Sequence, residues 1–222
     1  MSSTLSKEII ASISDGTYAD PFSVLGLHTF KENGKEKLVI RTFRPEAKSV
    51  VAQIGSAKPL KLDKISDEGL FEKIVPRRKN RFEYKLKISP YEGKKFDIID
   101  AYNYGSQLTD FDLQLWGEGN HQKAYEFMGA HPKKINNVEG THFVVSAPSA
   151  RRVSVVGSFN KWDGRVHSMR KFHDQGVWEI FIPHVSAGDL YKFEIKSTVQ
   201  DAPLLKADPY AFKAELRPKT SS

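Results

Sequence analysis

The feature that most constrains the fold of this chain is an internal repeat with an offset of 103 to 109 residues. Five short motifs of the first half return in the same order in the second half. The matched segments are Leu25–His28 with Met128–His131, Pro45–Val50 with Pro148–Val153, Gly69–Pro76 with Gly176–Pro183, Phe82–Lys85 with Tyr191–Glu194, and Asp100–Tyr102 with Asp208–Tyr210. Chance similarity between β-sandwiches explains one or two such pairs, but five in order indicate a tandem duplication.

Each repeat has the pattern of an antiparallel β domain. Short segments rich in β-branched and aromatic residues alternate with turns that contain Gly, Pro, Asp or Lys. In the first repeat these strands are predicted at Leu38–Phe43, Val50–Ile54, Leu70–Val75 and Phe82–Ile88. No strand–helix–strand alternation occurs, which argues against a barrel of parallel strands or a nucleotide-binding sheet. We therefore predict an all-β fold of two tandem immunoglobulin-like β-sandwiches, residues 1–113 and 114–222.

Little helix is predicted. Apolar residues at helical spacing favour a short helix over Thr4–Ser14, which ends before a glycine. A second short helix is predicted between the two sandwiches, over Asn120–Met128. The segment Phe111–Trp116 is apolar at alternate positions and is interpreted as a docked connection between the domains.

Composition excludes several classes of function. The net charge of +7 invites a nucleic-acid hypothesis, but the basic residues are scattered and often adjacent to acidic ones, so we expect no nucleic-acid partner. There is no cysteine, no run of about 18 apolar residues and no signal-peptide pattern, so we expect a cytoplasmic protein without a membrane partner. The seven histidines show no metal-binding spacing, and no phosphate-binding loop is present, so we expect neither a metal nor a cofactor. His28 and His131 recur at equivalent positions, which predicts a shared structural role such as a bond to a turn carbonyl.

The candidate binding site is the loop Gly157–Gly164, which carries Trp162 among polar residues. A glucose ring offers an apolar face and a rim of hydroxyl groups, so a sugar site needs an aromatic plate with a few donors and acceptors. Trp162 flanked by Asn160, Lys161 and Asp163 supplies both, and packing between domains or within the loop is the alternative role for this indole. The other two tryptophans are interpreted as packing residues, Trp178 in the core and Trp116 in the connection. The equivalent loop of the first repeat, residues 55–59, has no aromatic residue and is expected to bind sugar poorly.

The same residues carry a family resemblance. The loop, with GVWEIFIP, LYKFEI and ADPYAF (residues 176–183, 190–195 and 207–212), resembles the carbohydrate-binding module that precedes the barrel in glycogen branching enzymes. DPFSVLGLH and FDLQLWGEGNHQKAYEFMGAHP (residues 20–28 and 111–132) resemble the flanks of the extra N-terminal module of bacterial 1,4-α-glucan branching enzymes. In the similar glycogen-binding domain of the AMP-activated kinase β subunit, the residues that match Trp162 and Lys192 contact glucan. The second tryptophan of that domain has no counterpart after Ile195.

The resemblance implies a non-catalytic role. In these enzymes the catalytic aspartate and glutamate belong to a (β/α)₈ barrel that follows these modules, and its motifs are not found here. The last residues, Arg217–Thr220, match the start of the linker into that barrel, so this chain alone is expected to be inactive. The implied partners are α-glucan and the catalytic barrel domain. The alternatives are a free-standing glycogen- or starch-binding regulatory module, or the module of a debranching or trehalose-forming enzyme.

Overall fold

The computed structural model describes residues 3–197, 199, 202–216 and 219–222. Arg217 and Pro218 of the predicted linker, and three residues of the segment after Ile195, lie outside the described residues. The chain divides into two compact units, residues 1–103 and 104–222, whereas the boundary predicted at 113/114 falls inside a helix. Nearly all regular structure is antiparallel β-sheet, which confirms the predicted fold class. No helix of the described residues is long and apolar enough to cross a membrane.

The first unit is a sandwich of two four-stranded sheets preceded by helix α1 (Lys7–Ser14). Its strands are β1 (Gly26–Glu32), β2 (Lys35–Phe43), β3 (Ala47–Gln53), β4 (Leu60–Lys61), β5 (Asp63–Lys64), β6 (Leu70–Val75), β7 (Lys85–Pro90) and β8 (Phe96–Ile98). The sheet orders are β1-β2-β6-β5 and β4-β3-β7-β8. Apolar side chains of both sheets, among them Ile40 from the first and Leu86 from the second, form one buried core.

The second unit repeats this plan. Helix α2 (Asp110–Gly117) is followed by β9 (Gly129–Ile135), β10 (Val138–Ser146), β11 (Ala150–Gly157), β12 (Arg170–Phe172), β13 (Val177–Pro183), β14 (Tyr191–Ser197) and β15 (Leu204–Lys206). The sheet orders are β12-β13-β10-β9 and β11-β14-β15. The rings of Phe143 on β10 and Tyr191 on β14 meet edge to face with centroids 4.9 Å apart, which joins the two sheets across the core.

The helices belong to the duplication as well. An offset of 103 residues places α1 on α2, the cap residue Ser6 on Thr109, and the 3₁₀ turn Pro21–Ser23 on the 3₁₀ turn Ala124–Glu126. The segment predicted as a docked connection therefore forms most of α2, because the Thr109 side chain caps the first turn by accepting from Asp112 N–H. The helix predicted over Asn120–Met128 is wrong in extent, since only the 3₁₀ turn forms there.

Strand pairing corrects one of the five sequence matches. Ala52 pairs with Leu86 in the first unit, and the equivalent residue of the second, Val155, pairs with Phe193. Tyr191 therefore corresponds to Tyr84, with an offset of 107, and not to Phe82. A slip of two residues keeps the alternation of inward and outward side chains, so the sequence pattern does not reveal it. The strand predicted at Phe82–Ile88 begins only at Lys85, because its partner strand β3 ends opposite that residue.

The two histidines at equivalent positions do what their recurrence predicts. The Nε2 atom of His28 lies 2.8 Å from the carbonyl oxygen of Leu25, and Nε2 of His131 lies 2.9 Å from that of Met128. In each case the ring nitrogen donates to a turn carbonyl at the start of the unit's first strand. The prediction of a shared structural role is confirmed.

Candidate functional site

The loop that carries Trp162 has an unusual backbone. After β11 a 3₁₀ turn over Ser158–Asn160 leads into Lys161 and Trp162, both in the left-handed region with φ of 55° and 61°. The Trp162 N–H donates to the Gly157 carbonyl at 2.9 Å, which closes the loop. The indole is 42% exposed, so a large apolar surface faces solvent from a defined backbone. Such a surface can stack on the apolar face of a sugar ring.

Asn160 holds this loop through the hydrogen bonds of its buried side chain. The side chain is only 7% exposed, and its Oδ1 atom accepts from Gly157 N–H at 2.9 Å. Its Nδ2 atom donates to the Val155 carbonyl at 2.8 Å and to Nδ1 of His167 at 3.0 Å. The predicted flanking contact for sugar is therefore turned inward, and its hydrogen-bonding groups are used within the protein. Nothing in the spacing of the sequence indicates His167 as its partner.

Two glycines without side chains allow the loop to lie close to strand β14. A Cβ atom at Gly157 would lie 2.5 Å from the carbonyl oxygen of Leu190, and one at Gly164 would overlap the carboxylate of Glu194. Leu190, directly before β14, and Glu194 on β14 each lie two residues from Lys192, so the loop lies close to the chain on both sides of this lysine. The structure thus brings the segment with Trp162 and Lys192 to the same end of the β11–β14 pair.

Lys192 lies on the outer face of this sheet. It pairs with Val156 in the ladder, and its neighbours Tyr191 and Phe193 point into the core, so its own side chain points away from the core. The Lys192 ammonium donates to the Thr220 hydroxyl at 2.7 Å. An ammonium has three donors, so this bond leaves the lysine able to donate to a sugar hydroxyl.

The two carboxylates beside the loop are paired. Asp163 accepts from the Arg165 backbone N–H at 2.9 Å and from the guanidinium at 3.0 and 2.7 Å. Burial acts to raise the pKa of Asp163, but the bonds from Arg165 outweigh it and hold the pKa below its usual value. Glu194 is paired with the buried Arg152. Neither of these two carboxylates is therefore left unpaired at the surface beside Trp162.

The other tryptophans and the loop of the first unit differ from this arrangement. Trp178 is fully buried and its indole N–H donates to the Ala147 carbonyl at 2.9 Å, which confirms the prediction of a core residue. Trp116 is partly buried on α2, with its ring 6.2 Å from that of Phe127. In the first unit, the Gln53 side chain bonds the carbonyls of residues 55 and 57 and no aromatic residue is presented.

The buried carboxylates of the described residues have structural partners. Glu179 accepts from Gln107 N–H at 3.0 Å, lies 2.9 Å from Nε2 of His142, and is bonded by Arg170 at 2.9 Å. Asp208 accepts from the Tyr191 hydroxyl and from Tyr210 N–H. Among the residues that the structure describes, no group of three or more His, Asp or Glu could hold a metal ion.

Fold and site together define the class of protein, a pair of β-sandwiches that includes a carbohydrate-binding module. The chain is a tandem pair of β-sandwiches whose second unit matches the model of carbohydrate-binding module 48 (the isoamylase N-terminal domain) over residues 127–211. Residues 6–102 match the N-terminal domain of the alpha-1,4-glucan branching enzyme GlgB. The two matched regions lie within the two compact units, and the second contains both Trp162 and Lys192.

The particular relatives are branching enzymes. The chain is 47% identical over its full length to 1,4-alpha-glucan branching enzyme GlgB of Rhodopseudomonas palustris, and 46% identical over 95% of its length to that of Bradyrhizobium diazoefficiens. It spans about 30% of the length of these relatives. A pullulanase structure from Anoxybacillus is similar over 88% of this chain and 27% of its own, at 15% identity and a TM-score of 0.35. The chain corresponds to the N-terminal, non-catalytic part of the 1,4-alpha-glucan branching enzymes.

Proposed function

We propose that this chain binds α-glucan at Trp162 and Lys192 and orients it for a catalytic barrel domain like that expected in its longer relatives. The observation that carries the proposal is the half-exposed indole, held by a defined loop at the same end of the β11–β14 pair as Lys192. Holding a long polymer near an active site raises its effective concentration without any change in the chemistry. The reaction served would be the one named for the relatives, branch formation in 1,4-α-glucan.

Calorimetric titration with maltoheptaose tests the binding proposal. We expect weak binding by the chain, lost in Trp162→Ala and reduced in Lys192→Ala. Tyr125→Ala is the matched control, because Tyr125 is also an exposed aromatic residue of the second unit, at 60%, but lies in the 3₁₀ turn before β9. Equal heats for the parent chain and Trp162→Ala would contradict the proposal.

A second role, bracing the barrel, is supported by a different part of the unit. Large apolar side chains are exposed near the end of the chain, among them Phe212 at 80% and Leu216 at 90%. Phe212 also lines an apolar cavity of about 490 Å³ with Phe143 and Tyr191, and neither Trp162 nor Lys192 lines this cavity. An exposed apolar side chain at the rim of an apolar cavity is a feature of many protein contact surfaces.

Copurification tests the bracing role. The remaining, C-terminal part of the Rhodopseudomonas relative would be expressed separately and mixed with this chain. We expect a complex that is lost in Phe212→Ser and kept in Tyr125→Ser. No complex with the unsubstituted chain would contradict the role. The lack of cysteine in the sequence supports a cytoplasmic location for both roles.

A further inference from the structure

We infer that Asn160 and His167 form a buried clamp whose role is to position Trp162 for binding. The inference rests on the proposed function, because it concerns the same site. Both side chains are nearly fully buried, and neither is placed to touch a ligand at the exposed indole. They act through the backbone of the loop and are positioning residues.

The hydrogen bonds of the clamp fix its chemical state. The Asn160 amide has one acceptor and one donor group, and both are engaged: Oδ1 by Gly157 N–H, and Nδ2 by the Val155 carbonyl and by His167. An amide nitrogen only donates, so Nδ1 of His167 must accept. The imidazole is therefore neutral, with its proton on Nε2.

His167 is itself held on the scaffold. Its carbonyl accepts from Val155 N–H at 3.0 Å, and Met169 N–H donates to the Val153 carbonyl at 2.8 Å, so this segment runs along β11. The His167 ring also lies 5.8 Å from that of Phe159, at the start of the loop. Asn160 thus connects Gly157, where the loop begins, and His167, three residues beyond its end, to one strand.

The loop needs such a clamp because its backbone is unfavourable by itself. Lys161 and Trp162 are consecutive non-glycine residues in the left-handed region, a conformation that persists only where the surrounding structure imposes it. In the first unit the turn after β3 has its positive φ at a glycine, Gly55, and presents no aromatic side chain. The clamp is therefore found in the unit whose loop presents a tryptophan. It is not found among the described residues of the first unit, whose loop has no aromatic residue.

The experiment uses the whole chain labelled with 5-fluorotryptophan, which gives three ¹⁹F resonances, one of them assigned to Trp162 through Trp162→Phe. In Asn160→Ala and His167→Phe we expect the Trp162 resonance to shift or broaden, while that of the buried Trp178 stays in place and shows that the unit is folded. Asn120→Ala, at an exposed asparagine, is the matched control and should move neither resonance.

Binding is measured on the same variants by titration with maltoheptaose. We expect Asn160→Ala to weaken binding about tenfold, the loss of one good contact. An unchanged Trp162 resonance in both folded clamp variants would overturn the inference, and so would unchanged affinity in a chain that binds. A moved Trp162 resonance in a chain that never binds glucan would support the clamp and refute the proposed function.

Discussion

The carboxylate of Glu72 accepts a hydrogen bond from the backbone N–H of Thr4 at 2.9 Å, and so ties the segment before α1 to strand β6. The second unit repeats this anchor, with Glu179 on β13 accepting from Gln107 N–H at 3.0 Å. Glu72 is paired with Arg41 at 2.7 Å, whereas Glu179 is paired with His142 and Arg170. The duplication has kept the glutamate and its backbone contact but changed the cation.

The histidine partner predicts a loss of stability in mild acid. Burial lowers the pKa of His142 despite the opposing effect of Glu179, so the unfolded chain binds more protons than the folded one below about pH 6.5. The free energy of unfolding should therefore fall as pH falls from 7.5 to 5. Burial lowers the pKa of His28 as well, which acts in the same direction. Urea unfolding at several pH values measures this, and a flat profile over that range would refute it.

The decrease should continue at lower pH. Burial acts to raise the pKa of Glu179, but the hydrogen bond and charge of His142, together with the bond from Gln107 N–H, outweigh it and the pKa is lowered. Stability from this carboxylate is present above its ordinary pKa of 4.5 and is lost as pH falls through the lowered folded value. Glu72, whose pKa is lowered by bonds from Thr4 and Arg41 that outweigh burial, should behave in the same way.

Each unit should depend equally on its tyrosine–aspartate bond. The Tyr84 hydroxyl donates to the buried Asp100 at 3.0 Å, and Tyr191 makes the same bond to Asp208. Replacing either tyrosine with phenylalanine removes a donor from a buried carboxylate and should cost about 1–3 kcal/mol in the free energy of unfolding. Urea denaturation measures the cost, with the exposed Tyr125→Phe as a control that should lie within error of the parent. A loss at only one of the two sites would contradict their equivalence.

Two glycines of the first unit should respond oppositely to substitution. Gly26 has a φ of 97°, and a Cβ atom there would lie 2.8 Å from the Tyr102 carbonyl oxygen, so Gly26→Ala should destabilise the unit by more than about 1 kcal/mol. Gly34 also has a positive φ but faces open space, and its counterpart in the second unit is Asn137, with a φ of 63°. Gly34→Asn should therefore be nearly neutral. Thermal unfolding of both variants checks the contrast, which equal melting temperatures would disprove.

The chain by itself should not branch glucan. Its buried carboxylates are held by Thr4, Gln107, Tyr84 and Tyr191 in structural bonds, and none is described facing a second carboxylate across an open cleft. Incubation with amylose should leave the content of α-1,6 linkages unchanged, as measured by debranching and chain-length analysis. An increase in branch points would contradict the assignment to the non-catalytic part.

Sequence pattern was a good guide where it depends on period and order. Leu70–Val75 forms a strand with the predicted bounds, and the recurrence of His28 as His131 revealed a real shared bond. The pattern does not determine strand register, because side chains on one face of a strand recur at every second residue. A slip of two residues between Phe82 and Tyr84 leaves every side chain on its face, so only strand pairing resolves it.

The remaining differences lie where the apolar pattern is weak, or where hydrogen-bond partners decide which way a side chain points. The eight residues of α2 have too little apolar periodicity to be recognised, and comparison with α1 at the same offset would have found them. Asn160 has the chemistry of a sugar ligand, yet its bonds to Gly157, Val155 and His167 turn it inward. Spacing along the chain does not report which face of a loop a polar side chain will take.

The most direct measurement is affinity electrophoresis of the chain in gels with and without glycogen, run beside Trp162→Ala and Tyr125→Ala. We expect glycogen to retard the parent chain and Tyr125→Ala equally, and Trp162→Ala to migrate as it does without glycogen. Equal mobility of all three proteins in both gels would contradict the claim that the indole on this loop is a binding surface for glucan.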